Sequence, residues 1–262
     1  MSFEIHPDSL AKIRSISQNA SAAEEFFQRF VISVRGLKAD CALDLKGASI
    51  GGADYLFGNG IVAELKILEK DGWDDYNDKM DRLFARYRSS GELAPQIGQE
   101  EIGQDDPRIP PAMRTEWYSI LLGSMLRRFR DADRQIGMAK ESAPKAKGVL
   151  ILLNIQNRLH AEPVRLYWLV RDKILSGSSF PNIEAWFYLS LPVPELMNAG
   201  VNQCMFSWYF PRAENETADG WKDQALLMKC RGIAEEWEDF LEREIRLPIN
   251  NIPLSQIRVP KP

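Results

Sequence analysis

Two carboxylates and one lysine stand close together in the stretch GADYLFGNGIVAELKIL, residues 52–68. Asp54 belongs to the first of two apolar runs in this stretch, and Glu64 and Lys66 belong to the second. Successive side chains of a strand point to opposite faces, so Glu64 and Lys66 are expected on the same face of a sheet. Metal-dependent hydrolysis of a phosphodiester needs such a set, because Mg²⁺ prefers oxygen ligands and keeps coordination positions for a phosphate oxygen and the attacking water.

A hairpin would bring the first carboxylate to the other two groups. The sequence Gly-Asn-Gly at 58–60 tolerates positive φ and predicts a short loop between the two runs. A three-residue loop pairs Phe57 with Ile61 and, counted outward, puts Asp54 opposite Glu64. A two-residue loop would shift this register and move Asp54 away from the patch.

Candidate roles follow from this arrangement. Asp54 and Glu64 are the expected metal ligands, and the backbone carbonyl of Leu65 is a further candidate ligand. Lys66 has two candidate tasks, which are to orient or help deprotonate the attacking water and to stabilise negative charge on the phosphate. The sequence does not separate these two tasks.

Composition excludes several other classes of protein. The 262 residues are 45% hydrophobic, which suits one globular domain with a sizeable core. No apolar run reaches about 18 residues and the first residues lack a signal-peptide pattern, so we expect a cytoplasmic protein with no membrane partner. Three widely spaced cysteines and two histidines argue against a structural zinc site and against a histidine base. The net charge of −4 means that any nucleic acid must be held by a local basic patch.

Hydrophobic periodicity predicts alternating helices and strands. Helices are expected from Pro7 to about Ser17, from Ser21 to Arg35, from Trp73 to Ser90, from Thr115 to Lys140, at 162–175 and at 220–244. Strands are expected at 41–45, 53–57, 61–68, 147–154, 183–191 and 203–210. The run KGVLILLN at 147–154 is apolar throughout, which predicts a central strand covered on both faces. Residues 91–115 are expected to form a long exposed loop, and the Pro-rich tail after 244 is expected to be extended.

The helix at 115–140 carries polar side chains beside its apolar stripe. These are Arg127, Arg128, Arg130, Arg134 and Gln135. A solvated helix face is the default interpretation of such residues, and contact with phosphates is the alternative.

In this order of elements the chain resembles the PD-(D/E)XK nuclease superfamily, whose shared core is a helix, three strands, a helix and a fourth strand. The matching motif is Asp54 followed by Glu64-Leu65-Lys66, and Ala53 stands where the family name has Pro. The resemblance covers residues 21–154. It implies an α/β fold with a mixed central sheet, flanking helices and a restriction-endonuclease-like core, with C-terminal α/β additions over residues 155–262 of the single domain.

The resemblance also implies an activity. Members are hydrolases, so the expected protein is a Mg²⁺-dependent nuclease, with Mn²⁺ able to substitute, that binds DNA in preference to RNA and serves bacterial defence or restriction. Many members carry a polar residue on the helix after the second acidic strand, and Gln135 or Lys140 suits that position. Arg128 and Arg134 are the expected nucleic-acid contacts beside them. A homodimer, or a separate activator or targeting subunit, is left open.

In some members an acid on the first helix also reaches the metal. Glu24 and Glu25 are the candidates here. The stretch Ser21 to Glu24 has the spacing of a capping box, which explains Glu24 as a helix cap. Glu25 is therefore the expected additional metal ligand.

A non-catalytic interpretation stands beside this one. Glu64 and Lys66 would then be an exposed cross-strand charge pair and Asp54 an acid near a turn. The protein would be an interaction module of the same fold that acts through a partner or dimer surface. The other acidic motifs are weaker, because Asp8 after Pro7 is typical of a helix N-terminus and Asp44-Leu45-Lys46 lacks an acid on a partner strand.

Overall fold

The structure is a computed structural model, and it describes residues 7–41, 51–70, 72–97, 106–160, 166–167, 169–170, 180–191, 207–211, 216–217 and 220–246. Its long helices are α1 at Pro7–Ile16, α2 at Ala20–Ser33, α3 at Trp73–Ser89, α4 at Pro111–Ser142 and α5 at Gln224–Ile245. No helix in these ranges has the length and apolar character needed to cross a membrane.

The fold is α/β with a mixed, open sheet. Its six strands, in spatial order, are β1 at Leu37–Lys38, β2 at Tyr55–Phe57, β3 at Ile61–Leu68, β4 at Lys147–Asn154, β5 at Ala185–Ser190 and β6 at Ser207–Pro211. Strands β3, β4 and β5 run parallel, and the remaining neighbours pair antiparallel. A small separate hairpin consists of β7 at Glu216–Thr217 and β8 at Gly220–Trp221.

Helices cover both faces of the sheet. Side chains of β3 and β4 alternate between two cores, as the period of a strand requires. Val62 and Leu150 pack in the core formed with α3 and α4, whereas Ala63 and Val149 pack in the core formed with α1, α2 and α5. Strand β4 is buried at every position but its first, so the prediction of a central strand at 147–154 is confirmed.

The predicted hairpin is also confirmed. Phe57 pairs with Ile61 and Tyr55 pairs with Ala63, which is the register of a three-residue loop. Gly60 has a φ of 82°, a conformation that favours glycine. Continuing this register by one residue places Asp54 opposite Glu64.

The first strand of the sheet is not where the sequence predicted it. Residues 42–45 of the predicted strand lie outside the described ranges, and Cys41 ends a 3₁₀ turn, Ala39–Cys41. Leu37 pairs with Leu56 instead. Arg35 takes a left-handed φ of 58° after α2, so the chain reverses sharply and reaches the sheet at once. The motif Asp44-Leu45-Lys46 also lies outside the described residues.

Three helix starts differ from the prediction. Helix α5 begins at Gln224 rather than at residue 220, because Gly220–Trp221 is strand β8. Helix α4 begins at Pro111 rather than Thr115, because proline suits the first turn, where its missing N–H is not needed. Helix α2 is capped by Asn19, whose side-chain oxygen accepts a hydrogen bond from the Ala22 N–H at 2.9 Å. Ser21 and Glu24 therefore lie inside the helix and do not form the predicted capping box.

Some predicted elements lie wholly or partly outside the residues that the structure describes. The described ranges do not include residues 98–105 of the predicted loop, most of the predicted helix at 162–175, the first part of the predicted strand at 203–210 or the tail after 246.

Candidate functional site

The site is built on an unpaired edge of β3. Strand β2 is shorter than β3 and pairs only with Ile61 to Ala63, so no described residue forms a strand beside the second half of β3 on that side. The backbone N–H and C=O of one strand residue point the same way. Those of Leu65 and Ile67 point to this open edge, whereas Leu68 faces β4, where its carbonyl accepts a bond from the Ile155 N–H at 3.2 Å.

Side chains take the place of the missing strand. The Leu65 N–H donates to Asp54 Oδ2 at 2.8 Å, and Arg128 Nη1 donates to the carbonyl of Ile67 at 3.0 Å. Such bonds satisfy backbone groups that an exposed edge leaves without partners. They also anchor an acid and an arginine beside the same strand.

A cleft of about 480 Å³ opens along this edge. Residues of α2, β3, α4 and the adjoining segments line it: Ala20, Glu24, Asp54, Glu64, Leu65, Lys66, Ile67, Glu69, Lys70, Arg127, Arg128 and Gln135. The structure thus brings Asp54, Glu64, Lys66, Arg128 and Gln135 together, as the sequence analysis expected.

Glu64 is buried, with only 1% of its surface exposed. Its Oε1 accepts a hydrogen bond from Lys66 Nζ at 2.5 Å, and its Oε2 accepts no hydrogen bond from the described residues. Burial first, and then the negative charge of Asp54, raise the pKa of Glu64 to about 8 although Lys66 opposes them. Contact between the two carboxyl groups also raises this pKa, because a protonated Glu64 can donate to Asp54. The interpretation of Glu64 and Lys66 as an exposed charge pair is therefore wrong.

Lys66 is held between the sheet and α4. Besides its bond to Glu64, its Nζ donates to Gln135 Oε1 at 2.9 Å. The predicted role of Gln135 was contact with nucleic acid, and the structure shows that its amide oxygen binds the lysine ammonium. Gln135 thereby fixes where the ammonium lies in the cleft.

Gly52 lets the chain that carries Asp54 pack directly against α4. A Cβ at Gly52 would lie 2.4 Å from the Gln135 carbonyl oxygen and 2.8 Å from Met138 Cβ, and its φ of 105° also favours glycine. The sequence analysis did not single out this residue. A pair of glycines at 51–52, just before a candidate ligand, was the signal that pointed to a close approach.

Two predicted nucleic-acid contacts lie outside the cleft. Arg134 is on the same side of α4 as Arg127, two turns along, but it does not line the cleft. Lys140 points away and binds Glu184 Oε2 at 3.1 Å.

The acid on α2 differs from the prediction. Glu24 lines the cleft, and Glu25 does not. The preference for Glu25 rested on the capping box, which the Asn19 cap replaces. Glu24 is 3.9 Å from Lys38 Nζ and keeps about half of its side chain exposed, so it is free to turn toward the cleft.

The oxygen atoms of Asp54, Glu64 and the Leu65 carbonyl suit a hard divalent cation. Within the described ranges no cluster of three or more His, Cys, Asp and Glu side chains has the arrangement of a metal site. The candidate set is smaller, and consists of Asp54, Glu64 and the Leu65 carbonyl on the same open edge. Mg²⁺ is commonly held by one or two carboxylates and retains several waters. A cation here would give the buried Oε2 of Glu64 a partner and offset the charge of both acids.

Similarity to known proteins does not assign a role to the cleft. Comparisons with protein-family models, with curated proteins and with solved structures gave no match. The functional argument therefore depends on the residues that line the cleft.

Proposed function

We propose that the protein is a divalent-metal-dependent nuclease of the PD-(D/E)XK type, which hydrolyses phosphodiester bonds, with DNA favoured over RNA. The observation that carries the proposal is the buried carboxyl of Glu64, whose Oε2 accepts no hydrogen bond from the described residues, next to Asp54 and Lys66 in an open cleft. A purely structural acid at this position would be expected to have both oxygens hydrogen-bonded.

The acids are the part of the site that would hold the ion. Asp54 and Glu64, with the Leu65 carbonyl, would bind Mg²⁺ or Mn²⁺, and Glu24 is the nearest additional carboxylate on α2. A bound ion of this kind polarises a phosphate oxygen and lowers the pKa of a bound water. Asp54 also accepts the Leu65 N–H, so its carboxylate is oriented before any ion arrives.

Lys66 is poised to act on the substrate. A lysine ammonium has three N–H donors. Two of them are used by Glu64 and Gln135, which leaves one for a phosphate oxygen or for the attacking water. Because both acceptors come from packed elements, β3 and α4, the ammonium is positioned before substrate binds.

The overall charge of the chain does not oppose this proposal. At −4 the protein has no general attraction for a polyanion. The cleft is lined by four cations, Lys66, Lys70, Arg127 and Arg128, and by four acids, Glu24, Asp54, Glu64 and Glu69. A divalent ion bound at Asp54 and Glu64 would therefore make the cleft locally positive and attract a polyanion.

A cleavage assay tests the proposal. Supercoiled plasmid, linear duplex, single-stranded DNA and RNA are incubated with wild-type protein in Mg²⁺ or Mn²⁺, and with the variants Asp54→Asn and Lys66→Ala. Asp75→Asn is the matched control, because Asp75 is an exposed acid on α3 that pairs with Lys79 away from the cleft. We expect metal-dependent cleavage that both cleft variants lose and the control keeps. Cleavage by Asp54→Asn at the wild-type rate would contradict the proposal.

A non-catalytic interaction module is the second candidate. Ile32 on α2 and Leu37 on the edge strand β1 are 62% and 53% exposed, which is unusual for large apolar side chains and suits a contact surface. Intact substrates in every lane of the wild-type assay would favour this candidate over the nuclease.

A further inference from the structure

Three basic side chains line the cleft beside Lys66, and none of them forms an ion pair with an acid in the described parts of the chain. They are Lys70, Arg127 and Arg128. Elsewhere in the described parts of the chain, lysines and arginines commonly pair with acids, as Lys79 does with Asp75 and Lys140 with Glu184. The cations of the cleft are therefore grouped together without direct ion pairs, and Glu69 is the acid that lines the cleft beside them.

The charges are segregated along the cleft. Gln135 of α4 contacts Lys66, and Arg128, two turns earlier on the helix, contacts Ile67. Two helical turns span about 10 Å, so α4 leads from the lysine toward the later residues of β3 and Lys70. Asp54 and Glu64 therefore lie at one end of the cleft, and the three cations lie toward the other, where Glu69 is the neighbouring acid.

The basic end is held by rigid parts of the fold. Arg128 is half-buried, and its guanidinium is fixed at the Ile67 carbonyl. The backbone of Lys70 accepts a hydrogen bond at 2.7 Å from the side chain of Asn157, which is itself buried. The cations are thus placed by β3, by α4 and by a buried loop residue.

This arrangement is electrostatically costly without an anion. Burial first, and then the positive charge of Arg127, lower the pKa of Arg128, and Glu69 opposes them only in part. A guanidinium has five N–H donors, and the Ile67 carbonyl takes one of those of Arg128. The remaining donors face a cleft in which a phosphate would find bidentate partners.

We infer that the Lys70–Arg127–Arg128 end of the cleft is a second phosphate site, which holds a phosphate of the same nucleic-acid strand that is cut at the Asp54–Glu64 end. This inference rests on the proposed function for the identity of the ligand. The phosphate is either an internal diester or the terminal phosphate of the strand, since both offer the same oxygens to arginine. With the reacting phosphate at one end and a neighbouring phosphate at the other, the strand lies along the length of the cleft.

Salt-dependent binding tests the site without requiring cleavage. Binding of a short labelled single-stranded DNA is measured by fluorescence anisotropy in Ca²⁺ over a range of salt concentrations, for wild type, Arg127→Gln and Arg134→Gln. Arg134 is the matched control, because it lies on the same side of α4, is exposed and is outside the cleft. Arg127 is preferred to Arg128 as the test residue, because Arg128 also caps the edge of β3.

We expect Arg127→Gln to lower the slope of log K against log salt by about 1, the effect of one lost phosphate contact, and Arg134→Gln to leave the slope unchanged. Equal slopes for wild type and Arg127→Gln, or equal losses in both variants, would overturn the inference.

The same assay identifies which phosphate is bound. Strands with a 5′-phosphate, a 3′-phosphate or hydroxyl ends are compared with a circular single strand. A terminal site predicts tighter binding of one phosphorylated end, and loss of that preference in Arg127→Gln. An internal site predicts no preference among ends, and equal weakening of linear and circular strands by the substitution.

The two proposals fail in different ways. Wild-type cleavage together with an unaltered salt slope in Arg127→Gln refutes the phosphate site and leaves the nuclease proposal standing. Absence of cleavage together with a reduced slope refutes the nuclease proposal and leaves the phosphate site standing.

Discussion

Glu64→Gln is expected to stabilise the metal-free protein at neutral and basic pH. The substitution keeps the size of the side chain and removes a negative charge from a position that is only 1% exposed. A charge that is buried beside another acid is costly unless a cation compensates it. The free energy of unfolding of the two proteins should therefore differ in a pH-dependent way.

The sign and size follow from the pKa of Glu64, which burial and the charge of Asp54 raise from 4.5 to about 8. Between these values the folded protein holds a proton that the unfolded chain releases. The free energy of unfolding consequently falls as pH rises, by at most about 1.4 kcal/mol per pH unit. Glu64→Gln is expected to have no stabilising effect below pH 4.5, the pKa of the unfolded chain, and its full effect above pH 8, the pKa of the folded protein. The full effect is about 5 kcal/mol, because the two pKa values differ by roughly 3.5 units.

The assay is urea denaturation of wild type and Glu64→Gln in EDTA at several pH values. Taking the difference between the two proteins cancels the pH dependence of the groups that do not interact with Glu64. We expect the difference to be near zero at about pH 4.5 and to grow to several kcal/mol in favour of the variant near pH 8. Parallel curves of unfolding free energy against pH would refute the account of Glu64 as a buried, destabilised carboxylate.

Two further substitutions test how Lys66 and Asp54 are positioned. Gln135→Leu removes one acceptor of the Lys66 ammonium, so we expect kcat for cleavage to fall by about tenfold or more, with a displaced pH profile and little change in KM; an unchanged pH profile with a raised KM would indicate a substrate contact instead. Gly52→Ala inserts a Cβ 2.4 Å from the Gln135 carbonyl oxygen, so unfolding experiments should show a loss of about 1–3 kcal/mol and cleavage should weaken. Gly51→Ala is the control, because a Cβ there meets nothing within 4 Å, and equal effects of the two alanines would contradict the close-approach argument.

The parts of the fold that local sequence encodes were predicted well. Strands β3 and β4 begin and end at the residues predicted, because a short apolar run bounded by turn residues is typical of a buried strand. The Gly-Asn-Gly loop fixed the register and with it the approach of Asp54 to Glu64. The motif residues therefore met in space as the sequence indicated.

The parts that depend on tertiary contact were not predictable in the same way. Leu37–Lys38 is too short to show a strand period, and it is a strand because β2 lies beside it. Asn19 and Ser21 both suit a helix cap, and the structure uses Asn19. Glu24 is therefore not part of a capping box, and Glu24 rather than Glu25 lines the cleft. Arg134 is the same type of residue as Arg127 and lies on the same side of α4, but only Arg127 lines the cleft.

The most direct test of the account is calorimetric titration of the protein with Mn²⁺ at pH 7, repeated in two buffers that differ in ionisation enthalpy. An ion that binds between Asp54 and Glu64 must displace the proton that Glu64 carries, because its pKa is about 8. The account predicts one ion per chain, release of most of one proton per ion, and loss of both in Asp54→Asn. Absence of binding, or binding without proton release that persists in Asp54→Asn, would contradict it.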